Sequence, residues 1–92
     1  MNERRVRLRV HGRVQGVGFR YFVRERARAL GVRGWVRNMA DGAVELAAAG
    51  SEAAMTELEG AVRAGPPGAR VDRLEMLAAP DDELPLPFTI TH

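Results

Sequence analysis

The sequence predicts an α+β domain in which one mostly antiparallel sheet carries two helices on a single face. Two observations predict it. Apolar residues alternate with arginine over Val6–Val10, the period of a half-buried strand, and after a glycine-rich break the period lengthens to that of a helix. The same switch recurs later, where alternation over residues 43–49 gives way to a helical stripe at Met55, Leu58 and Val62. A chain of 92 residues holds one core, so a single domain over 1–92 is expected.

Val6, Leu8 and Val10 face one side of the first strand, and Arg5, Arg7 and Arg9 the other. Gly12-Arg13-Val14-Gln15-Gly16-Val17-Gly18, with three glycines in seven residues, reads as a loop. Phe19, Phe22, Val23, Ala27 and Leu30 then follow helical spacing, and Gly31 stands where a helix ends. Val32–Asn38 is the second strand, with Val32, Gly34 and Val36 on one face; Met39-Ala40-Asp41-Gly42 is the hairpin turn. Ala43–Ala49 returns as the third strand, with Val44, Leu46 and Ala48 toward the core and Gly50 breaking it. Ser51 is the expected N-cap of the second helix, where Gly60 costs about 1 kcal/mol relative to alanine. Gly65-Pro66-Pro67-Gly68 ends that helix. Val71, Leu74 and Met76 mark a fourth strand, Asp81-Asp82-Glu83 a solvated acidic loop, and Phe88-Thr89-Ile90 a short last strand. The order βαββαβ plus a terminal strand is that of a split-βαβ, ferredoxin-like sandwich.

Composition narrows the chemistry. Cysteine is absent, which removes disulfides, thiol nucleophiles and thiolate metal sites. Lysine is absent too, so all fourteen basic residues are arginine. No apolar run approaches the ~18 residues of a membrane span, and Met1–Val10 lacks a signal-peptide core. A soluble cytoplasmic protein is expected. Residues 1–37 carry eleven arginines against Glu3 and Glu25, whereas residues 38–92 carry Arg63, Arg70 and Arg73 against ten acids. Such polarity predicts either an anionic partner for the first half or mutual neutralisation on folding. Arg24 and Arg28, which continue the row of Arg20, are expected on a solvated face. His11 and His92 lie in separate segments and are expected to be structural or inert, with Tyr21 and Trp35 packing near the site or on the surface.

The specific signal lies at residues 12–20. Successive N–H groups of a glycine-rich loop converge on one concavity, and the helix that follows adds its own free N–H groups, so a phosphate can be bound with no side chain at all. Arg20 falls in the first helical turn, where a cation opposes the helix dipole at a cost of about 0.3–1 kcal/mol. An anion between guanidinium and helix end is attracted by both. Two known phosphate motifs fail here: a Walker A needs a lysine, and a dinucleotide fingerprint starting at Gly16 and Gly18 meets Tyr21 at its third glycine.

Gly12-Arg13-Val14-Gln15-Gly16-Val17-Gly18-Phe19-Arg20, followed by Gly34-Trp35-Val36-Arg37-Asn38-Met39-Ala40-Asp41-Gly42-Ala43-Val44-Glu45, resembles the acylphosphatases. Their pattern is G-x-V-Q-G-V-x-F-R and then G-W/Y-V-x-N-x-x-D-G-x-V-E. Both blocks match at every defining position, and the resemblance extends over essentially the whole chain. It implies hydrolysis of a carboxyl–phosphate anhydride, a small-molecule acyl phosphate, to a carboxylate and inorganic phosphate. It also implies that the backbone of Gln15, Gly16, Val17, Gly18, Phe19 and Arg20, with the Arg20 guanidinium, binds the phosphoryl group, while Asn38 orients the attacking water. No metal or cofactor is implied, nor any nucleic acid or membrane partner. A monomer is expected, with inorganic phosphate as product and competitive inhibitor.

An alternative from another class is an RNA-binding module of the same βαββαβ order, faintly echoed by Gly16-Val17-Gly18-Phe19-Arg20-Tyr21-Phe22. That motif belongs on a central strand late in the fold, whereas this segment opens an early helix, and the strands offer only Trp35 and Phe88 for stacking. A second alternative is a domain that transfers rather than hydrolyses, as found within larger carbamoyl-handling enzymes; a chain of 92 residues is expected to disfavour it.

Overall fold

The computed structural model describes residues 3–92. Along the chain run β1 (Glu3–Arg13), α1 (Phe19–Ala29), β2 (Arg33–Asn38), β3 (Val44–Ser51), α2 (Glu52–Ala64), β4 (Arg70–Leu77) and β5 (Thr89–Ile90). The five strands form one sheet in the order β4-β1-β3-β2-β5. Every pairing is antiparallel except that of β2 with β5. This is the ferredoxin-like sandwich, and among the described residues no helix is long and apolar enough to cross a membrane.

Both helices cover one face, and the core lies between. Val6, Leu8 and Val10 of β1 meet Phe19, Val23 and Ala27 of α1 and Met55, Leu58 and Val62 of α2. The predicted helical stripes are thus the buried ones. Ser51 caps α2, its Oγ accepting the N–H of Ala54 at 3.1 Å, a contact of about 1 kcal/mol. Phe88 is fully buried in the same core. Of the two aromatics that the sheet offered for stacking, one is therefore withdrawn.

Two local expectations change. β1 does not end at Gly12; a bulge between His11 and Gly12 keeps it paired with β4 as far as Arg13, so the loop shrinks to residues 14–18. β3 does not break at Gly50, because Gly50 pairs with Arg4 and the strand runs on into the cap residue Ser51. Met76 lies in the fourth strand as expected, opposite Leu8 on the sheet's edge, where it is 61% exposed. Arg28 stays exposed, as expected, and also donates its Nε to the Phe88 carbonyl at 2.8 Å, tying α1 to the chain just before β5.

The outer face of the sheet holds the main surprise. Residues 43–49 are all buried, not every second one. Ala47 and Ala49 lie beneath Leu84 and the Trp35 ring, a cover held by Arg5, which donates to the carbonyls of Pro80 and Asp82. Asp81, Asp82 and Glu83 themselves stay exposed, as the acidic loop was expected to be. Glu45 is fully buried although it is charged. Arg7 donates to its Oε2 at 3.2 and 3.1 Å, Arg9 to the same oxygen at 3.0 Å, and Arg37 to Oε1 at 3.0 and 2.6 Å. On the helix face Arg4 pairs with Glu52 at 3.2 Å and Glu59 at 2.8 Å. Much of the charge polarity along the chain is therefore neutralised internally.

Burial pushes the Glu45 carboxyl up, but the hydrogen bonds from Arg37, Arg9 and Arg7 together outweigh it and hold the group below the ordinary glutamate value of 4.5. A carboxyl lowered on folding stabilises the protein fully above that value, and the contribution disappears as pH falls through the lower folded-state value. Glu45→Gln is expected to cost about 1.5–3 kcal/mol near pH 7. Urea unfolding of both proteins at about pH 7 and about pH 3 should show that gap narrowing on acidification; a gap independent of pH would contradict it.

Candidate active site

β3 lies antiparallel to both β1 and β2, so those two strands point the same way. Val10, Val44 and Asn38 consequently form one row across the sheet. The chain leaving β1 and the chain leaving β2 emerge at the same edge, and the predicted site residues gather there.

Buried Val14 anchors the loop that follows β1. Gly16 and Gly18 adopt φ of 75° and 77°, a left-handed conformation that costs other residues about 1–2 kcal/mol. Gly18 is the N-cap of α1 and offers no side-chain cap, and the first helical turn has no acidic residue. The first helical hydrogen bond runs from the Phe22 N–H to the Gly18 carbonyl at 3.0 Å. Between those anchors, no backbone N–H from Gln15 to Tyr21 donates to another backbone group among the described residues. Arg20 stands among these donors, half-buried and without an ion pair or side-chain hydrogen bond among the described residues. The loop and the first turn of α1 present donors and no acid.

Asn38 is exposed and ends β2. It keeps the phase of Gly34 and Val36, so its side chain leaves the sheet on the face that carries α1. The turn beyond it closes through the Met39 N–H to the Ala43 carbonyl at 2.8 Å, the Gly42 N–H to the Met39 carbonyl at 3.2 Å and the Ala43 N–H to Asp41 Oδ1 at 3.0 Å. An Asp-Gly turn is legible in the sequence. What joins this turn to the loop is not. Gln15 Nε2 donates to the carbonyls of Met39 at 2.8 Å and Ala43 at 2.9 Å. Sequence reasoning used Gln15 only for its backbone and missed the side chain.

Other polar side chains have partners of their own. His11 Nε2 is bonded to Glu75 at 2.8 Å, which holds the Glu75 carboxyl below its ordinary value. Tyr21 is 57% exposed under the Arg24 guanidinium, and Trp35 lies on the outer face under that of Arg37. A surface depression of about 400 Å³ between the helices and another of about 420 Å³ beside Gly31 and Gly50 include none of the predicted site residues.

A ferredoxin-like fold with a donor-rich glycine loop at its first strand–helix junction defines a class of anion-handling domains, and comparison with known proteins narrows it. A model of the acylphosphatase family matches residues 6–90. The acylphosphatase of Rhizobium etli is 48% identical over 86 residues, covering 94% of this chain and 92% of that protein. The crystal structure of acylphosphatase from Bacillus subtilis superposes with a TM-score of 0.84 at 37% identity, covering 96% of this chain and 98% of that one. HypF of T. kodakarensis is similar at a TM-score of 0.81 and 32% identity, over 95% of this chain and 12% of that one. The chain belongs to the acylphosphatase family, and with it to the hydrolases.

A Cβ added at Gly18 would meet no atom within 4 Å, so the glycine serves backbone conformation and not packing. Gly18→Ala is expected to fold and to lose about 1–2 kcal/mol of unfolding free energy. Chemical denaturation measures it, and a loss near zero would show that the loop does not need the left-handed turn.

Proposed function

We propose that this chain hydrolyses acyl phosphates to a carboxylate and inorganic phosphate, with Gln15–Arg20 as the phosphoryl cradle and Asn38 holding the attacking water. One observation carries the reading: among the described residues, the N–H groups of residues 15–21 lack backbone acceptors, lie about an Arg20 without an ion pair and adjoin the turn that follows Asn38.

The chemistry suits so sparse a site. The leaving group is a carboxylate, which departs without a strong general acid. Phosphoryl transfer through a loose transition state needs charge stabilisation and in-line alignment more than proton chemistry. Fixed N–H dipoles and a guanidinium supply the first at no reorganisation cost during reaction. A neutral carboxamide, with one acceptor and two donors, supplies the second. As the water oxygen bonds to phosphorus and the acyl C–O–P bridge breaks at the P–O bond, the water's proton passes to a phosphoryl oxygen of the substrate. In this reading the enzyme works as a cytoplasmic monomer on a small molecule, with no metal, cofactor, membrane or nucleic acid taking part.

Hydrolysis of an aromatic acyl phosphate, followed by ultraviolet absorbance with EDTA present, tests the proposal. Turnover above the spontaneous rate is expected, with inorganic phosphate as a competitive inhibitor. Arg20→Ala should lose at least about 100-fold in kcat/KM and weaken phosphate inhibition. Asn38→Ala should lose about 100-fold or more in kcat while phosphate still inhibits. Near-normal kcat in Asn38→Ala would remove the water-holding role, and a folded, inactive native protein would remove the reaction.

A further inference from the structure

Two chain segments far apart in sequence must hold a fixed distance if one grips phosphorus and the other grips water. Among the described residues, one side chain hydrogen-bonds from the loop to the turn. Gln15 Nε2 lies 2.8 Å from the Met39 carbonyl and 2.9 Å from the Ala43 carbonyl. Both oxygens are acceptors only, so chemistry alone sets the orientation of the carboxamide: its NH₂ faces the turn and both N–H groups are used. Met39 follows Asn38, and Ala43 precedes Val44, the register partner of Asn38. The amide therefore clips both ends of the turn, at the point where the Met39 N–H already closes on the Ala43 carbonyl at 2.8 Å.

We infer that the Gln15 side chain is a positioning residue, which fixes the cradle loop against the Asn38 turn and so sets the distance between the bound phosphoryl group and the attacking water. The inference rests on the function proposed above. With both N–H groups committed to the turn, the side chain has no donor left for substrate, and its effect passes through the loop and through Asn38. Glutamate at this position would set a carboxylate against two carbonyl oxygens, and an apolar isostere would leave both oxygens one donor short. Alignment is steep in its effect on rate, because a displacement of about 1 Å can cost about 100-fold. Phosphate affinity depends on the cradle alone and is expected to survive the loss of the clip.

The test is Gln15→Met in the full chain, alone and combined with Asn38→Ala, measuring kcat on the aromatic acyl phosphate, the inhibition constant of inorganic phosphate and the thermal unfolding midpoint. Gln15→Met is expected to lower kcat by at least about tenfold while the phosphate inhibition constant moves by less than about threefold. In the Asn38→Ala background the same substitution should change the residual kcat by less than about twofold, since no held water remains to be placed. Near-normal kcat in Gln15→Met, an equal loss in both backgrounds, or a phosphate inhibition constant that rises in step with the loss of kcat would each overturn the inference. Should the methionine variant not fold, Gln15→Asn keeps the amide, shortens its reach by one methylene and is judged by the same criteria. Failure of the underlying function shows separately: an Asn38→Ala protein that retains near-normal kcat sinks the water-holding role whatever Gln15 does. An inactive Asn38→Ala beside an unimpaired Gln15→Met sinks only the positioning role.

Discussion

The constraint on which the rest depends is the antiparallel placement of β3 between β1 and β2. Two strands antiparallel to a common neighbour are parallel to each other, so their C-terminal ends share an edge. The helix that connects them must cross over the sheet and therefore starts at that edge too. Its N-terminal N–H groups, which no helix can satisfy internally, are delivered to the place where β2 turns back. Topology thus brings unsatisfied donors and the hairpin turn together before any side chain is chosen. The residues at 15–20 and at 38 then decide what that edge can bind.

A strand in the middle of the sheet is covered on both sides, and β3 shows how a small protein manages it. Toward the helices it presents Val44, Leu46 and Ala48. Away from them it presents alanines, which a short C-terminal cover closes, and one carboxylate, which three arginines close. Charge here substitutes for a second layer of helices. The row Arg9–Glu45–Arg37 lies one residue from the row Val10–Val44–Asn38. The ion cluster on the outer face therefore braces the three strand ends that carry the site on the inner face.

What the sequence disclosed and what it hid divide along the same physical line. Periodicity at Val6–Val10 and at Met55, Leu58 and Val62 reported burial directly, because each stripe faces the core as a unit. Ser51 announced its cap, since its partner Ala54 lies three residues on. The glycine loop and the Asp-Gly turn were equally local. The misreadings were made by distant partners: Gly12 stays in a strand because β4 pairs with it, and Gly50 because β1 does. The burial of Glu45 could not be read, because nothing in its neighbourhood says that Arg7 and Arg9 will close over it. The site followed the same rule. Its two halves were legible as blocks, and the side-chain contact between them was not, since it spans 24 and 28 residues.

The chemical identity of that contact follows from the field around it. The loop presents N–H dipoles and Arg20 with no acid in the first turn of α1, and attraction for an anion depends on keeping it so. A carboxylate used as the connector would itself occupy the positive field and repel the ligand. A cationic connector would add charge away from the cradle and compete with it for the anion. The carboxamide of Gln15 has donors for two carbonyls and no net charge, so it joins loop to turn mechanically and leaves the electrostatics of the edge to the backbone and Arg20. Asn38 obeys the same logic on the other side, because a neutral amide can hold a water beside a phosphoryl dianion where a carboxylate would meet like charge. In the proposed reading, two amides divide the work of alignment between them, and the positive field they leave intact does the work of binding.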